Sequence, residues 1–233
     1  MLGEGHRGAV LAIIAALNEE EGIGFTIAEL RQYLENVPVL VVDGHSVDRT
    51  VEVAKKFDAE VVFQEGRGKG NAVAKAIEEV DYDPRYVILT DADFTYPAEY
   101  VPKMLSVLEE NSDVGMVAGN RFNSHFHLKG MRNRFYVGNR LLAFTHNLFN
   151  GVGMRDPLTG LRVLRWEVLK GWKPKSKGFD VEVELNHLVE NKGFTIAEVP
   201  IHYRDRLGEK KLKLRHGFTI FNRILAESVR ERV

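Results

Sequence analysis

Two carboxylates one residue apart, Asp91 and Asp93, close the apolar run Val87-Ile88-Leu89-Thr90, which has the composition of a buried strand. In an alternating strand, residues i and i+2 point the same way, so the two side chains can converge on one divalent cation. The carboxyl end of a strand in an open α/β sheet is also where such folds place ligands. Mg2+ and Mn2+ seek oxygen and share their coordination between one or two carboxylates and substrate phosphates. Asp91-Ala92-Asp93 therefore reads as a metal clamp for a diphosphate. Capping of the helix that opens near Pro97 is the competing reading.

Three further loops carry polar residues at strand ends. The first strand runs into Leu17-Asn18-Glu19-Glu20 and the second into Asp43-Gly44-His45-Ser46-Val47-Asp48-Arg49-Thr50. Asp43 is placed to accept a hydrogen bond from a nucleobase, whereas Asp48 is placed as a helix N-cap. The third loop, Glu65-Gly66-Arg67-Gly68-Lys69-Gly70-Asn71, has three glycines and two cations ahead of a helix. Such a loop lets backbone amides and Lys69 approach a phosphate closely. It is not a Walker loop, since Gly70 follows Lys69 and Phe63 stands five before Gly68. No Gly-x-Gly-x-x-Gly follows the first strand, which argues against a dinucleotide oxidoreductase.

The elements that must position these loops alternate. Strands are expected at 10–16, 39–42, 60–63, 86–90 and 115–118, and helices at 23–34, 49–57, 71–80 and 98–109. This rhythm predicts an α/β fold with a mainly parallel central sheet and helices on both faces. Beyond Gly119 the rhythm breaks into a helix at 131–149, a strand at 161–164, a helix at 181–189, a strand at 195–199 and a closing helix at 218–230. One domain over 1–233 is expected, with a nucleotide-binding half (1–120) and an acceptor half (121–233).

Composition narrows the class. The 233 residues are 44% hydrophobic and 28% charged, which suits one substantial core and excludes fibrous and disordered chains. Cysteine is absent, so disulfides and thiolate metal sites are impossible and a reducing cytoplasm is the expected compartment. No apolar run approaches the roughly 18 residues of a membrane span. Net charge is −1, yet residues 114–155 contain no acid while Arg121, Lys129, Arg132, Arg134, Arg140 and Arg155 fall among them, and a second basic stretch spans 204–215. Such asymmetry points to phosphates or a membrane surface, with a solvated basic face as the alternative. His125 and His127 lack further ligands nearby, and Trp166 and Trp172 read as packing residues.

The order and spacing of these motifs resemble glycosyltransferase family 2, the nucleotide-sugar enzymes of the GT-A fold, and within it the polyprenyl (dolichyl) phosphate sugar transferases. Ala15-Ala16-Leu17-Asn18-Glu19-Glu20 resembles the family's opening Pro-x-Tyr-Asn-Glu, and the loop from Asp43 to Thr50 its Asp-Asp-Gly-Ser-x-Asp-x-Thr. Gly68-Lys69-Gly70-Asn71-Ala72 is similar to its Gly-Lys-Gly-x-Ala, and Asp91-Ala92-Asp93 to its metal motif. Gly119-Asn120-Arg121-Phe122 resembles the Gly-Ser-Arg-Tyr after the fifth strand. Arg155-Asp156-Pro157-Leu158-Thr159-Gly160-Leu161-Arg162 resembles the Asp-Pro-x-Ser/Thr-Gly-Phe-Arg segment of dolichyl phosphate mannose synthases. Arg206-Leu207-Gly208-Glu209-Lys210-Lys211 echoes their late basic loop. The chain departs at Gly44, where the family carries a second Asp, at His45 for Gly, and at Thr95, where mannose synthases often carry Gln.

The resemblance implies an inverting transfer of a hexose from a nucleotide sugar (GDP-mannose, UDP-glucose or UDP-N-acetylglucosamine) to dolichyl or polyprenyl phosphate. It implies Mg2+ or Mn2+ on Asp91 and Asp93. The donor set it implies is Ala16, Asn18, Glu19, Asp43, Gly68, Lys69, Asp91, Ala92, Asp93 and Arg121. The acceptor and diphosphate cations would be Arg121, Arg134, Arg206 and Lys211. An ionised lipid phosphate needs no strong base, whereas a sugar hydroxyl would need a carboxylate, for which Asp156 is the candidate beside a capping role before Pro157. Residues 128–149 read as an interfacial helix or as core packing. The expected location is peripheral, on the cytoplasmic face of a membrane, with a membrane-protein partner or a homo-oligomer supplying further attachment and no nucleic acid involved. Rival readings are transfer to a sugar hydroxyl, a nucleotidyltransferase, and a non-catalytic nucleotide-sugar-binding module.

Overall fold

The computed structural model describes residues 10–122, 134–150, 153–209 and 214–229. Seven strands form one sheet: β1 (Val10–Ala16), β2 (Val39–Asp43), β3 (Glu60–Phe63), β4 (Tyr86–Asp91), β5 (Val114–Asn120), β6 (Arg162–Arg165) and β7 (Thr195–Pro200). Among the described residues eight α-helices accompany them: α1 (Ile23–Tyr33), α2 (Thr50–Lys56), α3 (Lys69–Glu79), α4 (Val101–Glu110), α5 (Arg134–Asn150), α6 (Trp166–Leu169), α7 (Val181–Asn191) and α8 (Leu214–Ser228). A 3-10 turn at Ala98–Tyr100 leads into α4, which carries Pro102 in its first turn. A single α/β domain with a mainly parallel sheet, the expected class, is what the chain forms.

The strand order is β3-β2-β1-β4-β6-β5-β7. Near-continuous apolar runs make β1, β2 and β4 buried on both faces, as parallel strands require. Their alternation decides which helices they meet. Val10, Ala12, Ile14, Val39, Val41, Tyr86 and Ile88 pack with Ile23, Ile27 and Leu30 of α1 and Val101, Met104, Leu105 and Leu108 of α4. Leu11, Ile13, Leu40, Val42, Val87 and Leu89 face the other way, onto Ala72 and Ala76 of α3 and Leu185 and Val189 of α7. Trp166 belongs to this second core and Trp172 packs against it. The helical residues recur at i, i+3, i+4 and i+7, the period of a helix buried on one side.

Two features of the topology create a site. The chain lays β2 and β3 to one side of β1 and then places β4 on the other, so a crevice opens between β1 and β4 at the carboxyl edge. The register keeps that edge level, with Ala16 beside Asp43 and Ala15 beside Asp91. The second feature is β6, which runs antiparallel to both β4 and β5. Its amino end, not its carboxyl end, therefore reaches this edge and delivers the loop 156–161. β5 and β7 pair in parallel, so Arg121 and the segment after Pro200 arrive there too.

Candidate active site

Asp91 ends β4, and Asp93 lies in the turn beyond it rather than in the strand itself. Strand alternation, the geometry expected from sequence, therefore does not bring the two carboxylates together. The turn does, and Phe94 completes it in the left-handed backbone region at φ 63°. A bulky residue there is strained, and it is held by the Arg204 guanidinium 4.4 Å above its ring and by Phe25 at 5.6 Å. Gly22 makes room on the other side, since a Cβ there would lie 2.6 Å from the Ala92 carbonyl. Ala92 itself is buried.

Each acid of the pair meets a cation. The Lys69 ammonium lies 2.6 Å from Asp91 Oδ1 and 2.8 Å from Glu182 Oε1. Arg206 Nη1 lies 3.4 Å from Asp93 Oδ2, and its Nη2 pairs with Glu19. Burial lowers the Lys69 pKa, but the charges and hydrogen bonds of Asp91 and Glu182 outweigh it and hold the ammonium well above its ordinary value. Arg206 behaves likewise through Glu19 and Asp93. Asp93 is pushed up, by burial first and by the Asp91 charge second, against hydrogen bonds from Thr95. Thr95 is completely buried, and its hydroxyl donates to Asp93 Oδ1 at 2.6 Å.

The glycine-rich loop packs closely on the backbone around Lys177. The Gly70 and Asn71 amides both donate to the Lys177 carbonyl, at 3.0 and 3.4 Å. The glycines are required by that approach: a Cβ on Gly70 would lie 2.0 Å from the Ser176 carbonyl oxygen. Gly68, at φ 99°, would meet Lys177 at 2.4 Å. What the loop presents to the site is Lys69, the first residue of α3.

At the other strand tips, Asp43 is fully buried and accepts from the Ser46 amide (2.8 Å) and hydroxyl (2.6 Å). Its carboxylate thus shapes the turn in which His45 adopts φ 66° and stacks on Phe63. Asn18 is likewise left-handed, at φ 50°, and its Oδ1 accepts the Val47 amide. Asp48, expected as the N-cap of α2, lies one residue before the N-cap, Arg49, and its Oδ1 accepts the Thr50 amide at 2.9 Å. Its other oxygen accepts the Glu20 amide and so ties the first two loops together. Ala16 closes β1, and its carbonyl accepts the Gly44 amide.

Arg121 and Asp156, assigned separate roles by the resemblance, form one buried pair. Nε and Nη2 of Arg121 donate to the two carboxylate oxygens at 2.7 and 2.8 Å, and its amide adds a bond of 3.0 Å. Asp156 therefore has both oxygens engaged by Arg121 and is fully buried. The loop that follows is fixed by Arg162, which is buried and donates to the Pro157 and Thr159 carbonyls. That loop ends against the metal motif. Tyr96 Oη accepts the Gly160 amide at 2.7 Å, and a Cβ on Gly160 would lie 2.4 Å from Asp91 Oδ2. The segment after β7 closes the other side, where the Leu207 amide donates to the Asp93 carbonyl and the Arg204 amide to that of Thr95.

Arg134 opens α5. Lys211, His125 and His127 lie outside the described residues. Glu182, Tyr96, Arg162 and Gly22 were not singled out as site residues from sequence, although Glu182 left a trace as an acid in the apolar start of α7.

The donor set suits a divalent cation that takes the rest of its shell from a ligand. Among the described residues no group of three or more His, Cys, Asp or Glu converges. Two carboxylates are what Mg2+ or Mn2+ usually takes from a protein when phosphates complete the octahedron. Asp93 is raised first by its burial and second by the charge of Asp91, and a cation between them would offset that second effect.

Residues 11–172 match the family described as Glycosyl transferase family 2. The chain is a family 2 glycosyltransferase. It is 36% identical over 203 residues to a protein named dolichyl-phosphate hexose transferase from Haloferax volcanii, covering 86% of this chain and 85% of that one. It is 29% identical to the dolichol-phosphate mannosyltransferase of Pyrococcus furiosus, with 91% of this chain matched to 60% of the relative. Glucosyl-3-phosphoglycerate synthase from Mycobacterium tuberculosis, crystallised with Mn2+, uridine diphosphate and phosphoglyceric acid, superposes with a TM-score of 0.75. That match covers 96% of this chain and 79% of the other at 20% identity, a likeness of fold.

Proposed function

We propose that the chain moves a hexose from a nucleoside-diphosphate sugar to dolichyl or another polyprenyl phosphate at a membrane surface, in one inverting displacement. The observation that carries this reading is the state of the buried carboxylates around Asp91 and Asp93. Glu19, Asp156 and Glu182 each already hold a cation, Arg206, Arg121 and Lys69 respectively. None of the three stands ready as the base that a hydroxyl acceptor needs. A lipid phosphate is ionised near neutral pH and is itself the nucleophile. Similarity to a dolichyl-phosphate hexose transferase over most of both chains supports the same acceptor.

The residues divide the work. Mg2+ or Mn2+ held by Asp91 and Asp93 would neutralise charge on the departing diphosphate. Lys69 and Arg206 place two further positive charges beside the same carboxylates, where the leaving group's charge develops. The acceptor oxygen attacks the sugar's anomeric carbon as the bond to the diphosphate breaks, and the bonding electrons leave with the nucleoside diphosphate. Arg206, planar and able to bind two oxygens at once, suits a phosphate better than a point charge does.

Attachment to the membrane is supported by two helices. On α5, Leu141, Phe144 and Leu148 are exposed at i, i+3 and i+7, and on α8 Phe218, Phe221 and Leu225 repeat that spacing. The two helices pack against each other, and each carries such an exposed apolar stripe. No helix among the described residues is long and apolar enough to cross a membrane. We assign the chain to the cytoplasmic face, with a membrane protein or a second copy as other occupants of this surface.

The test incubates the purified chain with Mn2+ or Mg2+, polyprenyl phosphate and each of a panel of GDP- and UDP-sugars, and follows the lipid by mass spectrometry. A glycosyl phospholipid from one donor, absent with Asp91→Asn, is expected. Glycosylation of a sugar hydroxyl that continues without lipid phosphate would refute the acceptor assignment.

A further inference from the structure

The two cations at the metal motif are each shared with a second carboxylate that lies off the motif. Lys69 bridges Asp91 and Glu182, and Arg206 bridges Asp93 and Glu19. Lys69 is only 13% exposed and Glu182 9%, whereas Asp91 is 32% exposed and is the open end of the bridge. In this arrangement the ammonium takes one of the two Asp91 oxygens. An ammonium and a divalent cation on one carboxylate repel each other. Metal binding at Asp91 would therefore weaken the contact between Lys69 and Asp91.

We propose that Glu182 is a positioning residue that keeps Lys69 when a divalent cation claims Asp91. It holds the ammonium at the edge of the diphosphate site instead of letting it swing to solvent. This rests on the reading of Asp91 and Asp93 as the metal carboxylates. Two observations support it. Glu182 projects from the first turn of α7, a different element from the metal motif, so the metal need not disturb it. The lysine stem is anchored at the start of α3, where the Gly70 amide is tied to Lys177. Glu182 lowers the cost of metal entry by offering the displaced charge a second partner, and it leaves that charge within reach of the incoming diphosphate.

The test measures Mn2+ binding, by the electron paramagnetic resonance signal of free Mn2+, first alone and then with uridine or guanosine diphosphate. Glu182→Gln should weaken the binding of Mn2+ alone about fivefold or more, because Lys69 then has only Asp91. Lys69→Met should strengthen it while weakening retention of the nucleotide. In the Lys69→Met background, Glu182→Gln should have no further effect on Mn2+, a coupling that mere structural support would not produce. The double variant removes one charge of each sign, so it keeps the test decisive if a single variant fails to fold. Unchanged Mn2+ affinity in Glu182→Gln, or an undiminished effect of it in the Lys69→Met background, overturns the proposal. Absence of Mn2+ binding to the unaltered chain, with or without nucleotide, would instead remove the metal reading on which it rests.

Discussion

Replacing Asp156 with Asn should unsettle this side of the site, because it leaves the Arg121 guanidinium buried beside a neutral group. The pair is bidentate at 2.7 and 2.8 Å, with Asp156 fully buried and Arg121 7% exposed. Breaking a buried pair by removing one partner costs about 3–5 kcal/mol. In a chain of this size each kcal/mol lowers Tm by roughly 2–4 °C, so Asp156→Asn should lower it by roughly 6–20 °C. The double replacement Arg121→Met/Asp156→Leu removes both charges together and should recover most of the loss, since apolar substitutes for a buried pair are often neutral. Urea unfolding at pH 7 followed by two probes, with midpoint and slope fitted for each variant, reads the difference directly. A loss under about 1 kcal/mol for Asp156→Asn, or a double variant whose loss equals the sum of the singles, would refute the claim that the two charges stabilise each other.

Gly160→Ala puts a Cβ 2.4 Å from Asp91 Oδ2 and 2.9 Å from Tyr96, so it should displace the carboxylate and weaken Mn2+ affinity about 10- to 100-fold, read by Mn2+ titration. Vesicle flotation should show the chain bound to anionic vesicles at low salt and lost from them when Phe144 and Phe218, 64% and 78% exposed, are both changed to Ser; equal binding by the variant would remove these helices from the interface. Burial, with the neighbouring His187 and Arg162 adding to it, drives the His146 pKa down to about 3 from an ordinary 6.5. Its neutral form is the folded one, so this stability is present above pH 6.5 and is lost as pH falls toward 3. The loss amounts to roughly 1.4 kcal/mol per unit against His146→Gln, and parallel pH profiles of unfolding for the two chains would contradict it.

The sheet was legible because its signal is local. β1 and β3 have the expected limits, and β2, β4, β5 and β7 differ from expectation by no more than a residue or two at each end. Apolar runs bounded by turn residues are short-range patterns that burial on both faces enforces. The one-turn helix α6 escaped, since four residues carry no period. So did the reversal of β6, because direction within a sheet is set by which strand a segment meets. Val163 pairs with Ile88 and Val117 in this sense, and no local pattern distinguishes that from a parallel arrangement.

The same limit explains what the sequence showed of the site. Asp91, Asp93, Lys69 and Arg206 were named from their motifs, and the structure brings all four together. Their counter-charges were a different matter. Glu182 meets Lys69 across 113 positions of chain (182 − 69), and Glu19 meets Arg206 across 187. Each contact exists because two loops reach one edge of a sheet whose order is not sequential. A motif displays the residue that faces the ligand; the residue behind it has no partner in sequence and emerges only from topology. The glycines of the third loop make the point in reverse. Their spacing suggested close approach to a phosphate, and in the fold Gly68 and Gly70 also approach the backbone at 176–178 closely. A spacing read from sequence signals close approach, and the fold adds a neighbour that the sequence does not name. The Gly-Lys-Gly of this loop sets Lys69 between two acids, Asp91 and Glu182.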